Sequence, residues 1–236
     1  MVKSYKCVLF DLDNTLLKKS PHVVEKVYEY VSVISSSISE EEVRKAYAES
    51  ELWTGEQIMD ETEKGYQMPD DEFKKYILQI YNRKLNLPAM YIDGLGDVLF
   101  CDGASKYELN RDAKAVLDEL KQRNVLMGIV SNNHSRIRES IERLNLTGYF
   151  SAIVLSDEVK LWKPDPQIML YALSHMKINA CEALYVGDHP FDILCARKAG
   201  MDIAWYQPKR LFDELPAYIG APDYTISGFL ELLGIL

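Results

Sequence analysis

Long apolar runs are missing from these 236 residues. None approaches the roughly 20 residues that span a bilayer, so no membrane partner is expected. The N-terminal MVKSYKCVLFDLD passes from a short basic stretch straight into acidic residues, unlike a secretory leader, and a cytoplasmic protein is expected. Basic charge is also scarce. The 27 Lys and Arg against 36 Asp and Glu leave a net charge of -9, which argues against the cationic surface that binding nucleic acid requires. The four cysteines, Cys7, Cys101, Cys181 and Cys195, show neither CxxC nor metal-ligand spacing. They read as small buried side chains in a reducing compartment rather than a disulfide framework. His22, His134, His175 and His189 are dispersed and lack the pairing of a zinc site, which leaves them solvated or capping roles. With 12 Gly and 9 Pro there is no excess of chain breakers, so a packed fold is expected.

Short apolar runs alternate with helical patterns, the signature of strand and helix units feeding a parallel sheet. The strand candidates are Cys7 to Asp11, Leu126 to Ser131, Ala152 to Leu155, Ala183 to Gly187 and Ile203 to Trp205. Between them, Ala113, Val116, Leu117 and Leu120, then Ile137, Ile141 and Leu144, fall at helical spacing. The expected fold class is α/β, a doubly wound parallel-sheet, Rossmann-like core formed by residues 1–17 and 109–236. Residues 18–85 break the alternation and read as an inserted all-helical cap. Within it, Ser20 and Pro21 suggest a helix start, Ser39 and Glu42 form a capping-box pattern, and Asp70 to Leu85 supply a later helix. Tyr28, Tyr30, Tyr47, Tyr76 and Tyr81 sit in these helical patterns and are expected to pack the cap. Residues 86–108 mix Gly and Asp with apolar pairs and read as a return loop, with room for a short hairpin.

Chemistry concentrates at the strand ends. VLFDLDNTLL places Asp11 and Asp13 two residues apart after a buried-type strand, where two carboxylates would share one side and need a compensating cation or proton. By itself this pair is also what a solvated loop with a helix cap looks like. GIVSNN ends a second strand in Ser131, Asn132 and Asn133, groups able to hydrogen-bond phosphoryl oxygens. LWKPDP holds Lys163 before a proline that favours extended backbone at the lysine. YVGDHPFD ends a further strand with Asp188 and, four residues on, Asp192, the oxygen donors that hard magnesium prefers.

In order and content these segments resemble the four motifs of the haloacid dehalogenase-like superfamily: DLDNT at Asp11 to Thr15, SNN at Ser131 to Asn133, KP at Lys163 and Pro164, and GDHPFD at Gly187 to Asp192. ARKAGM at Ala196 to Met201 is similar to the helix that follows the fourth motif in that family. The resemblance implies a site at the carboxyl ends of the strands. It implies Asp11 as the nucleophile that becomes an aspartyl phosphate, with Ser131, Asn132 and Lys163 binding the phosphoryl group. Mg2+ would be held by Asp11, the Asp13 backbone carbonyl and Asp188, with Asp192 nearby. Dehalogenases and ion-pumping ATPases of the superfamily lack the second Asp. Asp13 therefore favours a phosphatase acting on a small-molecule phosphate ester, with a phosphomutase as the alternative and a non-catalytic regulatory descendant behind it. The inserted segment takes the place of the family's helical lid, and Trp53, Gly55 and Glu56, in an expected interhelical loop, are candidates for substrate choice. Trp53 and its neighbours would equally suit a core tryptophan beside an exposed loop. Three features depart from the family pattern: the long return loop, Trp162 before the lysine, and His189 after the metal-binding Asp.

Overall fold

The computed structural model describes residues 4–64, 68–100 and 106–236. Cys101, and the part of the expected return loop at 101–105, lie outside the described residues. The chain divides into two compact units. One comprises Met1–Lys18, Tyr107–Arg210 and Glu214–Leu236; the other comprises Lys19–Lys106 and Leu211–Asp213.

The first unit is the expected α/β class. Its strands are β1 (Cys7–Phe10), β4 (Leu126–Ser131), β5 (Ala152–Leu155), β6 (Ala183–Gly187), β7 (Asp202–Tyr206) and β8 (Tyr224–Ile226), in the order β5-β4-β1-β6-β7-β8. Every pairing is parallel. The chain works outward from β1 in both directions, which puts the topological switch point at β1, between β4 and β6. Register aligns the strand ends: Phe10 stands opposite Ile129 and Val186. Helices α5 (Ala113–Gln122), α6 (Ile137–Arg143) and the terminal α10 (Leu232–Ile235) contribute to one buried cluster with Val8, Phe10, Met127, Ile129 and Val186. Alternation along β1 turns Cys7 and Leu9 to the other face, and α8 (Gln167–Met176) and α9 (Pro190–Ala199) pack on β4, β5, β6 and β7. Strands buried on both faces read as unbroken apolar runs, which is why CVLF and ALYVG stand out in the sequence. A short helix α7 (Ser156–Val159) follows β5 directly. Outside the main sheet, β2 (Leu17–Ser20) pairs with β3 (Lys106–Leu109) as a two-stranded ribbon.

The second unit is helical: α1 (Val23–Ser32), α2 (Glu40–Lys64), α3 (Asp70–Leu85) and α4 (Ile92–Phe100). Its core joins Val24, Val27 and Val31 of α1, Val43, Ala46 and Tyr47 of α2, Ile77, Tyr81 and Leu85 of α3, and Leu95 of α4. Helix α1 begins two residues after the expected Ser20 and Pro21 pair, with His22 as its cap and Glu25 closing a capping box. The Ser39 and Glu42 box is present: the Glu42 amide donates to Ser39 Oγ and the Ser39 amide to Glu42 Oε2. Arg44 donates to the Leu211 carbonyl and pairs with Asp213, which ties the 211–213 segment to α2.

The stretch at 86–108 differs from the expected loop. Ala89–Tyr91 form a 3-10 turn, Ile92–Phe100 form α4, and Lys106–Leu109 pair with β2 rather than folding into a local hairpin. Gly94 within it serves packing: a Cβ there would sit 2.3 Å from the Tyr30 hydroxyl. Cysteine burial also departs in part, since Cys7 and Cys195 are buried but Cys181 is exposed, and all three are free thiols. No described helix is long and apolar enough to cross a membrane.

Candidate active site

The site is assembled where β1, β4 and β6 end. Asp11 follows Phe10 directly; its amide donates to the Val186 carbonyl at 2.8 Å, prolonging the ladder by one residue. The next turn is held by amides of Leu16 and Leu17 on the carbonyls of Asp11 and Leu12, with Asn14 in the left-handed region (φ 55°), a conformation its short polar side chain tolerates. Asp11 is 6% exposed. Its Oδ1 accepts from Lys163 Nζ at 2.8 Å, and the buried Ser131 side chain also favours its charged form.

Lys163 lies between two carboxylates. Its Nζ donates to Asp11 Oδ1, to Asp192 Oδ1 at 2.7 Å and to the Tyr185 hydroxyl at 3.0 Å. Its backbone is bracketed by Asn132, whose Nδ2 donates to the Lys163 carbonyl (2.9 Å) and whose Oδ1 accepts from the Lys163 amide (2.8 Å). The Asn132 side chain, expected to meet phosphate, is therefore engaged in placing the lysine.

Asp192 sits at the third position of α9. Its Oδ2 accepts from the His189 amide at 3.0 Å, while the His189 ring accepts from the Phe191 amide at 3.1 Å. His189 and His22 are thus helix caps. Asp192 lies so close to β6 that only glycine fits at 187: an added Cβ would meet Asp192 Oδ2 at 2.3 Å. Asp188 Oδ1 accepts from the Thr15 hydroxyl at 2.9 Å, and its backbone carbonyl accepts from Trp205 Nε1 (2.7 Å) and Gln207 Nε2 (3.0 Å). Asp13 Oδ2 accepts from Asn133 Nδ2 at 3.0 Å.

Asp11, Asp188 and Asp192 are all buried and offer oxygens within 4.8 Å of one another. Fully ionised, the three carboxylates against one ammonium would carry an excess of two negative charges in a buried space. Burial raises the Asp11 carboxyl above its ordinary pKa, Lys163 opposes this, and the Asp192 charge reinforces it. Burial, then the charges of Asp11 and Asp192, push Asp188 well above the usual carboxylate range. For Lys163, burial works against the charged form, but Asp11 and Asp192 outweigh it and hold the ammonium protonated. An all-oxygen, net-negative buried donor set fits a hard divalent cation such as magnesium.

The sequence of residues 8–206 matches the family model described as haloacid dehalogenase-like hydrolase. The chain belongs to that family. It is similar to the phosphoglycolate phosphatase of Vibrio parahaemolyticus, at 26% identity over 98% of this chain and 96% of that one. It is also similar to the pyrophosphatase PpaX of Bacillus velezensis, at 35% identity but over only 50% of this chain and 55% of that one. In fold it resembles an L-2-haloacid dehalogenase, with a TM-score of 0.68, 19% identity and 98% of each chain covered.

Of the expected residues, Asp11, Ser131, Lys163, Asp188 and Asp192 converge as one hydrogen-bonded and carboxylate cluster. Asp13 follows on the same turn. Trp53, Gly55 and Glu56 are not in an interhelical loop; they lie within the 25-residue helix α2. There Trp53 packs on Phe73 and Tyr76, with ring centroids 5.6 and 5.3 Å away, Gly55 is buried and Glu56 is exposed. Asn133, expected with Ser131 and Asn132 to hydrogen-bond phosphoryl oxygens, instead holds Asp13, and Thr15, the end of the first motif, holds Asp188. Tyr185, Trp205 and Gln207 also hold functional groups and were given no role from the sequence. For Tyr185 a signal existed: a phenol in an otherwise aliphatic buried strand needs a hydrogen-bond partner.

Proposed function

We propose that this hydrolase is a magnesium-dependent phosphatase acting on a small phosphate monoester, with Asp11 as nucleophile and Asp13 as general acid and base. The observation that carries the reading is the pairing of a buried, lysine-held Asp11 with a second carboxylate two residues on, itself held by Asn133. A dehalogenase-type nucleophile needs no such partner, whereas transfer of a phosphoryl group from an alkoxide needs a proton donor.

The steps follow from the residues. An Asp11 carboxylate oxygen attacks phosphorus, the bond from phosphorus to the ester oxygen breaks, and Asp13 gives that oxygen its proton. Asp13, now ionised, takes a proton from water as the water oxygen attacks the aspartyl phosphate. Inorganic phosphate leaves and Asp11 is regenerated. Lys163 reduces the repulsion between Asp11 and an anionic ester, and Ser131 offers a hydroxyl to the phosphoryl oxygens. Asp11 and Asp188, with the Asp13 carbonyl and Asp192 beside them, would hold magnesium, which when bound supplies the remaining charge neutralisation.

The test is turnover of p-nitrophenyl phosphate by the purified protein, with and without magnesium and with no bisphosphate activator. Magnesium-dependent release of phosphate supports the reading; its absence there and across a panel containing phosphoglycolate and pyrophosphate rejects it.

A further inference from the structure

Lys163 has three ammonium protons and no acceptor. All three are engaged, on Asp11, Asp192 and Tyr185, at 2.8, 2.7 and 3.0 Å. The residue is 7% exposed. A phosphoryl oxygen therefore meets a lysine with no donor to spare, and one of the three bonds must give way.

The three are unequal. Asp11 and Asp192 set a full opposite charge against the ammonium at 2.8 and 2.7 Å, whereas the longer bond to Tyr185 joins the ammonium to a neutral oxygen and lacks that attraction. The Tyr185 oxygen is neutral, and its single proton is already donated to the Val130 carbonyl at 2.8 Å. Toward Lys163 it can only accept. Tyr185 is fully buried in β6, so its hydroxyl stays in place whether or not the lysine uses it.

We propose that Tyr185 is a positioning residue that holds the third Lys163 proton until a phosphoryl oxygen replaces it; this rests on the phosphatase reading above. The hydroxyl keeps the ammonium fully bonded in the free enzyme and yields first because its bond is the weakest. Ligand binding exchanges one lysine bond for another.

The sign of the effect of removing the hydroxyl follows. In Tyr185→Phe the free enzyme contains a buried, unpaired N–H, and phosphate satisfies it without competition. The Val130 carbonyl loses its donor in the free and bound states alike, so that loss cancels. Inorganic phosphate, measured by calorimetry on the magnesium-loaded protein, should bind Tyr185→Phe about five- to tenfold tighter than wild type. A merely structural role would leave phosphate affinity unchanged or weaken it, and either result overturns the proposal. A crystal structure of the wild type with phosphate supplies a test that needs no variant. Lys163 Nζ should lie beyond hydrogen-bond range of the Tyr185 hydroxyl while its contacts to Asp11 and Asp192 persist; a retained Tyr185 bond overturns the proposal. Wild type that hydrolyses an ester while Tyr185→Phe shows no tightening defeats this proposal alone. Wild type that neither binds phosphate nor hydrolyses any ester defeats the phosphatase reading, and this inference with it.

Discussion

The Thr15 hydroxyl donates to Asp188 Oδ1 at 2.9 Å, joining the turn after β1 to the loop after β6. Both groups are buried, and the bond restrains a carboxylate that burial drives toward its neutral form. Thr15→Val keeps the shape and removes the donor. Magnesium affinity, measured by calorimetry, should fall about tenfold, as is usual when the partner of a metal ligand is lost. Unchanged affinity would remove Thr15 from the site.

Asn133 Nδ2 holds Asp13 Oδ2 at 3.0 Å. Asn133→Ala should lower kcat about 10- to 100-fold, less than the roughly 100- to 10,000-fold that a positioned acid or base contributes because Asp13 itself remains, with KM changed less than about threefold. A rise in KM at constant kcat would show that Asn133 serves binding instead.

Gly187→Ala places a Cβ 2.3 Å from Asp192 Oδ2. Asp192 must shift, which disturbs its bonds to the His189 amide and to Lys163 together. Stability should drop by about 1–3 kcal/mol, the usual cost of overpacking, with activity lost in the same variant. Chemical denaturation and turnover give the two numbers; a variant normal in both would contradict the geometry.

In metal-free protein the raised Asp188 carboxyl keeps its proton at pH values where the unfolded chain has released it. Its contribution to stability is therefore complete below the unfolded value of about 3.9 and is lost as pH rises through the folded one. Glu41, held down to about 2 first by its hydrogen bond to Arg44, works in the opposite sense but only below the ordinary glutamate pKa of about 4.3. As pH rises above about 5, where ordinary carboxylates are already ionised, the Tm of stripped protein should fall, less so in Asp188→Asn, and magnesium should flatten the decline. A Tm that rises over that range in stripped wild type would contradict the charge balance drawn here.

Much of this architecture can be read from the residues because buried parallel strands are nearly pure apolar runs. Leu126–Ser131, Ala152–Leu155 and Ala183–Gly187 begin and end where the sequence places them. Helix α3 likewise runs from Asp70 to Leu85, between an acidic first turn and a left-handed Asn86. Strand β8 has only three residues, too few to show a period. Helix α4 was hidden by Gly94 and Gly96, which look like loop residues until Tyr30 is seen lying against Gly94. Gly55 misled in the same way within α2, where a 25-residue helix absorbs one glycine. In the site, motif spacing brings out Asp11, Lys163 and Asp188, but not which side chain serves which. The Asn132 amide is matched to the backbone of Lys163, 31 residues away, and no local pattern encodes that pairing.

The most direct test of the central claim is capture of the covalent intermediate. Magnesium-loaded enzyme turning over a phosphate ester is quenched in acid, digested and sequenced by mass spectrometry. The account predicts one phosphoryl group on the peptide containing Asp11, attached at that aspartate, and neither label nor turnover in Asp11→Asn. Phosphoryl transfer found on another residue, or near-normal turnover by Asp11→Asn, would contradict it.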